Sequence, residues 1–219
     1  MKLYLKGARL NYVLSLFTAQ IAKGSTKAKF SISAIIESTT QAFAGEAKPD
    51  SATGKAAGYK WGDPKEEFSK AIVAVATEKW GPKAMEVIGQ LKAQDRLCLH
   101  DGAKKGATPG YAGNLYVNAS NDIAPGVKHK QTGAQLTGTS GVIYSGCYGD
   151  VVLDVWAQDP KSNPEWGKRV NASLLAVEFS HDGERLAGGA VASEDDYAAI
   201  PEGAQKEAAK SGDGAASIF

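Results

Sequence analysis

The chain has 219 residues, of which 43% are hydrophobic and 22% charged, and its formal net charge is +1. This composition describes an ordinary soluble globular protein that can bury a full core. No apolar run approaches the roughly 18 residues that cross a bilayer, and the alternating N-terminus does not resemble a signal peptide. We therefore expect a cytoplasmic protein with no membrane partner.

The net charge conceals an asymmetry along the chain. Residues 193–219 contain six acidic and two basic side chains, a net charge of −4, so residues 1–192 carry +5. A basic body with an acidic end is informative about partners, although a solvated surface with a frayed terminus would have the same composition.

Metal-ligand residues are few and scattered. Cys98 and Cys147 lie far apart without a CxxC spacing, and the three histidines are dispersed. A structural zinc site needs four clustered ligands, so we expect no metal and no cofactor, and we expect both cysteines to be buried.

Two strands are predicted near the N-terminus. Residues 2–12 alternate between apolar and polar side chains, with a change of phase at Gly7 that indicates a bulge. Residues 27–36 alternate again, with Lys27 and Lys29 on the outer face. Together these lysines predict a positively charged sheet surface, although each could simply be solvated.

The next segment, residues 41–62, is rich in Gly, Ala, Lys and Ser and is predicted to be a loop. Tyr59, Lys60 and Trp61 stand near its end. Aromatic rings flanked by positive charge suit stacking on unpaired bases while phosphates are neutralised. The alternative for Trp61 is that it packs against the helix that follows.

A helical hairpin is predicted over residues 63–94. Asp63 can cap the first helix with Pro64 at its first position, and Gly81-Pro82 ends it and starts a second helix. The apolar side chains recur at helical spacing, so we interpret this stripe as core. The hairpin lies between strands, as an insertion into a β-fold would.

A further group of lysines and tyrosines follows the hairpin. A strand is predicted over residues 114–119, and a long polar loop over residues 121–141. The second basic and aromatic group consists of Lys104 and Lys105 with Tyr111 and Tyr116, and a third consists of Tyr144 and Tyr148 near Lys128 and Lys130.

The strongest strand pattern lies within residues 141–156. Val151, Leu153 and Val155 alternate with polar residues, and Tyr144 and Tyr148 precede them among glycines. Another strand is predicted over residues 168–179. Beyond residue 190 the composition cannot form a core, so we predict a disordered acidic tail over residues 191–219.

No catalytic constellation is present in the sequence. It contains no P-loop pattern and no GxGxxG between a strand and a helix. Asp150 and Asp154 could bind a metal as in a nuclease, but exposed aspartates on a strand are common. The pattern favours binding over catalysis, and we do not expect an enzyme.

The alternating strands and the helical insertion predict a mainly β fold, an OB-fold-like five-stranded Greek-key barrel over residues 1–190. The sheet face and loops of such barrels commonly bind single-stranded nucleic acid. The predicted DNA contacts are Lys27, Lys29, Tyr59, Lys60, Trp61, Lys104, Lys105, Tyr111, Tyr116, Lys128, Lys130, Tyr144 and Tyr148.

Several blocks occur in an order that resembles phage-encoded single-stranded DNA-binding proteins related to the podovirus helix-destabilising protein. The blocks KLYLKGARLNY, KAKFSISAII, LCLHDG, GYAGNLYVNAS, YSGCYGDVVLDVWAQD and VNASLLAVEFSHDGERLAGG span roughly residues 1–190. The resemblance implies an OB fold that binds and protects single-stranded DNA, largely independently of sequence. It also implies a role in replication, recombination and repair in the bacterial host cytoplasm. Duplex DNA is expected to bind more weakly.

The resemblance also implies an acidic C-terminal tail that recruits replisome proteins such as a DNA polymerase and competes with DNA for the basic groove. The tail residues concerned are Glu194, Asp195, Asp196, Asp213 and Phe219. Lys206 and Lys210 interrupt the acids of this tail. The alternative reading of the whole chain is a β-sandwich structural or carbohydrate-binding module, whose tyrosines would stack on sugar rings.

Overall fold

The computed structural model describes residues 1–22, 25–46, 60–161 and 167–186, which form nine strands and three α-helices. The fold is mainly β with a helical insertion, as predicted. The helices are α1 (Leu14–Phe17), α2 (Pro64–Trp80) and α3 (Ala84–Ala93). The strands are β1 (Lys2–Asn11), β2 (Gln20–Ile21), β3 (Ala28–Ile36), β4 (Gln41–Ala44), β5 (Leu99–Asp101), β6 (Leu115–Asn121), β7 (Gly126–His129), β8 (Tyr148–Gln158) and β9 (Arg169–His181).

The described strands form one sheet in the order β5-β6-β3-β1-β8-β9-β7, with β2 paired to β3 and β4 paired to β1. The pairs are antiparallel except β7 with β9, which is parallel. The sheet curves so that β6 also packs against β9, and Asn121 Nδ2 donates to the Leu174 carbonyl at 3.0 Å. The five longest strands, β6, β3, β1, β8 and β9, are therefore neighbours around a curved surface.

Strand β1 lies at the centre and bends at the predicted bulge. Its register with β8 shifts between Leu5 and Ala8, and Gly7 between them has a φ of +70°. The first half of β1 pairs with β4 and the second half with β3. Glycine is required here because a side chain would be strained at this positive φ.

The core lies between the inner sheet face and the helical insertion. Val151, Leu153 and Val155 point inward from β8 and are fully buried. Helix α2 packs on β1, β4 and β8 and begins as predicted, with Asp63 Oδ1 accepting from the Lys65 and Glu66 amides at 2.8 and 3.3 Å. No helix within the described residues is long and apolar enough to span a membrane.

The predictions of loops over residues 41–62 and 121–141 are each wrong in one part. Gln41–Ala44 forms β4, which pairs with β1. Residues 126–129 form β7, which pairs in parallel with β9, and Val127 is buried. A single buried valine leaves no alternation in the sequence. Parallel pairing between distant segments depends on the tertiary arrangement, which the local pattern does not encode.

Candidate nucleic-acid interface

The outer face of β3 and β6 is polar, whereas the inner face is apolar. On the outer face Ser31 lies opposite Ser120 and Ser33 opposite Asn118. These residues alternate with buried apolar neighbours, because successive side chains of a strand point to opposite faces. Ser31, Ser120 and Asn118 therefore present hydroxyl and amide groups that can form hydrogen bonds, whereas Ser33 is buried and its hydroxyl accepts from Tyr111.

This polar face forms one side of a cleft of about 770 Å³. The ends of β8 and β9 form the other side, so the cleft joins segments far apart in the sequence. We call it the cleft throughout. Its polar and charged lining residues include Lys29, Asn118, Ser120, Asn121, Asp122, Gln158, Arg169, Asn171 and Ser173.

Aromatic side chains complete the lining of the cleft. His100 and Tyr116 stack with ring centroids 5.1 Å apart and an interplanar angle of 24°. Trp156 is 40% exposed, and its Nε1 donates to Ser173 Oγ at 2.9 Å, which fixes the indole. Trp156 and His100 are absent from the sequence-based list of contacts. The sequence could have indicated Trp156, because it alternates with Val151, Leu153 and Val155 and therefore lies on the polar face of the predicted strand.

Lys29 lines the cleft, and Lys27 pairs with Asp122 of the lining. Lys27 Nζ is 3.0 Å from Asp122 Oδ2, and Lys29 Nζ is 3.5 Å from Asp122 Oδ1. The hydrogen bond from Lys27, with the nearby charge of Lys29, lowers the pKa of Asp122 below its ordinary value. Exposed ion pairs contribute little stability, so a phosphate can replace Asp122 as the partner of either lysine.

Lys104 stands at the rim of the cleft beside Asp95. Its Nζ is 2.7 Å from Asp95 Oδ1, and His100 Nδ1 is 3.1 Å from the same oxygen. The hydrogen bond from Lys104 contributes most to lowering the pKa of Asp95, and the contact with His100 lowers it further. Lys104 and His100 are thereby held close to the cleft wall.

The structure contradicts the prediction that Tyr111 contacts DNA. Its side chain has no exposed surface; its hydroxyl donates to Ser33 Oγ at 2.8 Å and accepts from Asn11 Nδ2 at 3.3 Å. Burial raises the pKa of the Tyr111 hydroxyl. With no free ring face it cannot stack on a base; it covers Ile35 on the outer face of β3.

Tyr116 and Lys105 belong to the same tyrosine cluster. Tyr116 lines the cleft but is only 5% exposed. Lys105 Nζ lies 5.0 Å from the centroid of Tyr116 and 5.6 Å from that of Tyr12. Such cation–π contacts position the ammonium group, so Lys105 is held over the rings.

Tyr144 and Tyr148 lie away from the cleft, beyond β3 and β1. The Tyr144 hydroxyl donates to the Gly183 carbonyl at 2.9 Å, and its ring contacts the Arg185 guanidinium at 4.2 Å. Tyr144 therefore holds a turn. Tyr148 stacks on His181 with centroids 4.7 Å apart, and Lys130 forms an ion pair with Asp150 next to it.

The remaining predicted contacts are dispersed. Lys60 and Lys128 are exposed, and the Trp61 ring lies 5.6 Å from Lys6 Nζ. The structure thus brings Lys29 and Tyr116 into the lining of the cleft and Lys27 and Lys104 to its rim, and it places the other described residues elsewhere. Tyr59, Glu194, Asp195, Asp196, Asp213 and Phe219 lie outside the described residues.

The two cysteines are buried, as predicted, and burial raises the pKa of the Cys98 thiol to about 12. Asp150 accepts from the Gly7 amide at 2.9 Å and pairs with Lys130. Asp154 contacts the N-terminal ammonium at 2.8 Å. Both aspartates are thus bound to donors within the fold.

Comparisons with known proteins point in one direction. Residues 63–209 match the family model of the single-stranded DNA-binding protein of Enterobacter phage Enc34. Protein p50 of Acyrthosiphon pisum secondary endosymbiont phage 1 is 40% identical over 134 residues, which is 60% of this chain and 69% of that protein.

Solved structures show a similar fold. The single-stranded DNA-binding protein of bacteriophage Enc34 in complex with single-stranded DNA superposes with a TM-score of 0.52 at 19% identity. That superposition covers 85% of this chain and 89% of the Enc34 chain. A C-terminal truncation of the Enc34 protein gives a TM-score of 0.51 at 20% identity, over 84% of this chain and 87% of that one.

Proposed function

This chain belongs to the family of single-stranded DNA-binding proteins described from Enterobacter phage Enc34, and on that premise we propose that it binds single-stranded DNA. The observation that supports this most directly is the cleft, where aromatic rings and cations share one outer sheet face. Stacked bases and neutralised phosphates are the two interactions that non-specific single-strand binding requires.

In the proposed mode, the Trp156 indole stacks on a base, because it is exposed and already oriented by Ser173. His100, which lines the cleft and stacks on Tyr116, contacts a further base. Each stacked base contributes about 1–3 kcal/mol whatever its identity. Binding is therefore largely independent of sequence.

Cations around the cleft hold the phosphates. Lys27 and Lys29 exchange Asp122 for phosphate oxygens, and Arg169 lies across the cleft from them. Each phosphate contact with a single strand steepens the dependence of log K on log salt by about 0.7. Duplex DNA would retain part of this charge term but not the stacking, so it binds more weakly.

We propose that the described residues form an OB-type barrel. The five longest strands, β1, β3, β6, β8 and β9, follow one another in the order β6-β3-β1-β8-β9, and β6 packs against β9 to complete the curve. An OB fold is a five-stranded, partly open Greek-key barrel of this kind. The helical insertion then extends the connection between β4 and β5.

We propose a biological role that the family membership supports. The protein covers and protects single strands during phage replication, recombination and repair in the bacterial host cytoplasm, as a binding protein rather than an enzyme. Residues 191–219, which are acidic in composition, recruit replisome proteins such as a DNA polymerase. The sequence features that support this role are Glu194, Asp195, Asp196, Asp213 and Phe219.

The test is fluorescence anisotropy with labelled oligo-dT and a matched duplex across a salt series. We expect tight binding to the single strand that weakens steeply with salt, and weaker binding to the duplex. Weak binding to both, unaffected by salt, would contradict the proposal. For the tail, capture of a phage or host DNA polymerase should depend on Phe219, with Phe219→Ala as the variant and Phe219→Trp as its control.

A further inference from the structure

One row of side chains crosses six neighbouring strands on the outer face of the sheet. Residues paired across antiparallel strands point to the same face, and the register makes five such pairs in succession. From β5 to β9 the row consists of His100, Tyr116, Ile35, Arg9, Tyr148 and His181. One end of this row, His100 with Tyr116, lies in the cleft.

The middle of the row is covered. Tyr111 and Leu186 pack over Ile35, and Arg9 Nη2 donates to the Glu184 carbonyl at 2.8 Å. A Cβ on Gly146 would lie 2.0 Å from that same carbonyl oxygen. Residues 184–186 therefore cross close above the sheet and divide the row into two open ends.

The other open end is a second depression of about 410 Å³, which contains Tyr148 and His181. Their rings stack with an interplanar angle of 9°, and the Tyr148 hydroxyl donates to Glu37 Oε2 at 2.8 Å. The stack is thus fixed before any ligand arrives. Lys6 and Lys130 also line this depression, with Thr39, Gln41 and Ser180 as hydrogen-bonding groups.

The charge of the second depression is available to an anion. Asp150 is its one lining carboxylate, and it already accepts from the Gly7 amide and pairs with Lys130. Among the described residues, no carboxylate lies within ion-pair distance of Lys6, whose ammonium instead lies over the Trp61 ring. The second depression therefore has the chemistry of the cleft: rings, hydroxyls and a cation.

We propose that the second depression binds further nucleotides of the same single strand that occupies the cleft. Lys6 and Lys130 contact phosphates there, and His181, already stacked on Tyr148, presents its ring to a base. This inference rests on the proposed function, because it extends the same ligand along the same sheet face. Three strand intervals of about 4.8 Å separate Tyr116 from Tyr148, so only a strand of several nucleotides reaches both.

The test compares two labelled oligo-dT probes, one of about 5 and one of about 16 nucleotides, the range that one OB fold covers. The full chain is compared with Lys6→Glu and His181→Ala, and Lys79→Glu on α2 is the control for charge. Lys6, His181 and Lys79 are exposed, and thermal unfolding confirms that each variant is folded. Lys6→Arg tests whether the positive charge alone is enough for the phosphate contact.

For the long probe we expect His181→Ala to lower affinity roughly fivefold or more, the cost of one lost stack. Lys6→Glu should reduce the salt slope by at least about 0.7, and Lys6→Arg should restore it. Affinity for the short probe should not change, and Lys79→Glu should have little effect on either probe. Equal losses on both probes, or none on the long one, would overturn the second subsite. Failure of the unmodified protein to bind either probe would instead overturn the proposed function itself.

Discussion

The two faces of β3 and β6 differ sharply although their residues alternate along the same two strands. The inner face carries Ile32, Ala34 and Val117, all buried against the core. The outer face carries Ser31, Asn118 and Lys29, which line or adjoin the cleft. Alternation thus places stability and the proposed DNA contacts on neighbouring residues, one position apart.

This difference means that substitutions on the two faces should have separable effects. Truncation on the inner face removes packing that no neighbour replaces. Truncation on the outer face removes groups that contact solvent in the free protein. The first should change the free energy of unfolding, and the second should change the affinity for single-stranded DNA.

The largest expected effect is on the inner face. Ile32→Ala should lower the free energy of unfolding by about 2–5 kcal/mol, because Ile32 is 2% exposed and its loss leaves a cavity. Chemical denaturation measures this. A loss of less than about 1 kcal/mol would show that the two faces are not divided in this way, and Ser31→Ala on the same strand is the control.

The next effect concerns the exposed indole. Trp156→Ala should weaken binding of oligo-dT by about 1–3 kcal/mol and leave the unfolding midpoint nearly unchanged. Trp156→Phe should retain much of the affinity, because it keeps a ring. Anisotropy titration measures both. If the alanine and phenylalanine variants bind equally well, Trp156 does not stack on a base.

A smaller effect is expected from the lysines. Lys29→Ala should reduce the slope of log K against log salt by about 0.7, the contribution of one phosphate contact. Lys92→Ala on α3 provides a matched loss of one exposed charge away from the cleft. Equal slopes for these two variants would remove Lys29 from the interface.

The smallest effect should have the opposite sign. Asp122→Asn should strengthen single-strand binding by less than about fivefold, because it frees Lys27 and Lys29 from an exposed ion pair. The lysines lower the pKa of Asp122 below its ordinary value of 3.8, so it is charged at neutral pH. Asp122 would therefore lose its negative charge, and with it both ion pairs, only at a pH below 3.8. Weaker binding by the asparagine variant would show that Asp122 serves the interface.

The structure confirms the features for which the local sequence patterns were strongest. The strand over residues 2–12, the bulge at Gly7 and the helix beginning after Asp63 all appear where the sequence predicts them. These features depend on side-chain periodicity and backbone preference within a few residues. Strand β7 was missed because its one buried residue, Val127, gives no periodic signal.

The binding residues were harder to predict. Basic and aromatic residues identified the kind of surface but could not show which rings keep a free face. Tyr111 is buried beneath hydrogen bonds from distant strands. Trp156 is exposed on the polar face of a strand that the sequence predicted to be half-buried. Burial of a ring depends on what the chain places over it, and that is a long-range property.

The sequence by itself determined the mainly β class, the helical insertion, the basic body with its acidic end, and the family. These follow from composition, short periodicities and ordered blocks of residues, which are all local. The tertiary structure alone decided that Lys29, Tyr116, Trp156 and Arg169 share one cleft. Strand register sets that grouping, because a shift of one residue would turn each of these side chains to the other face.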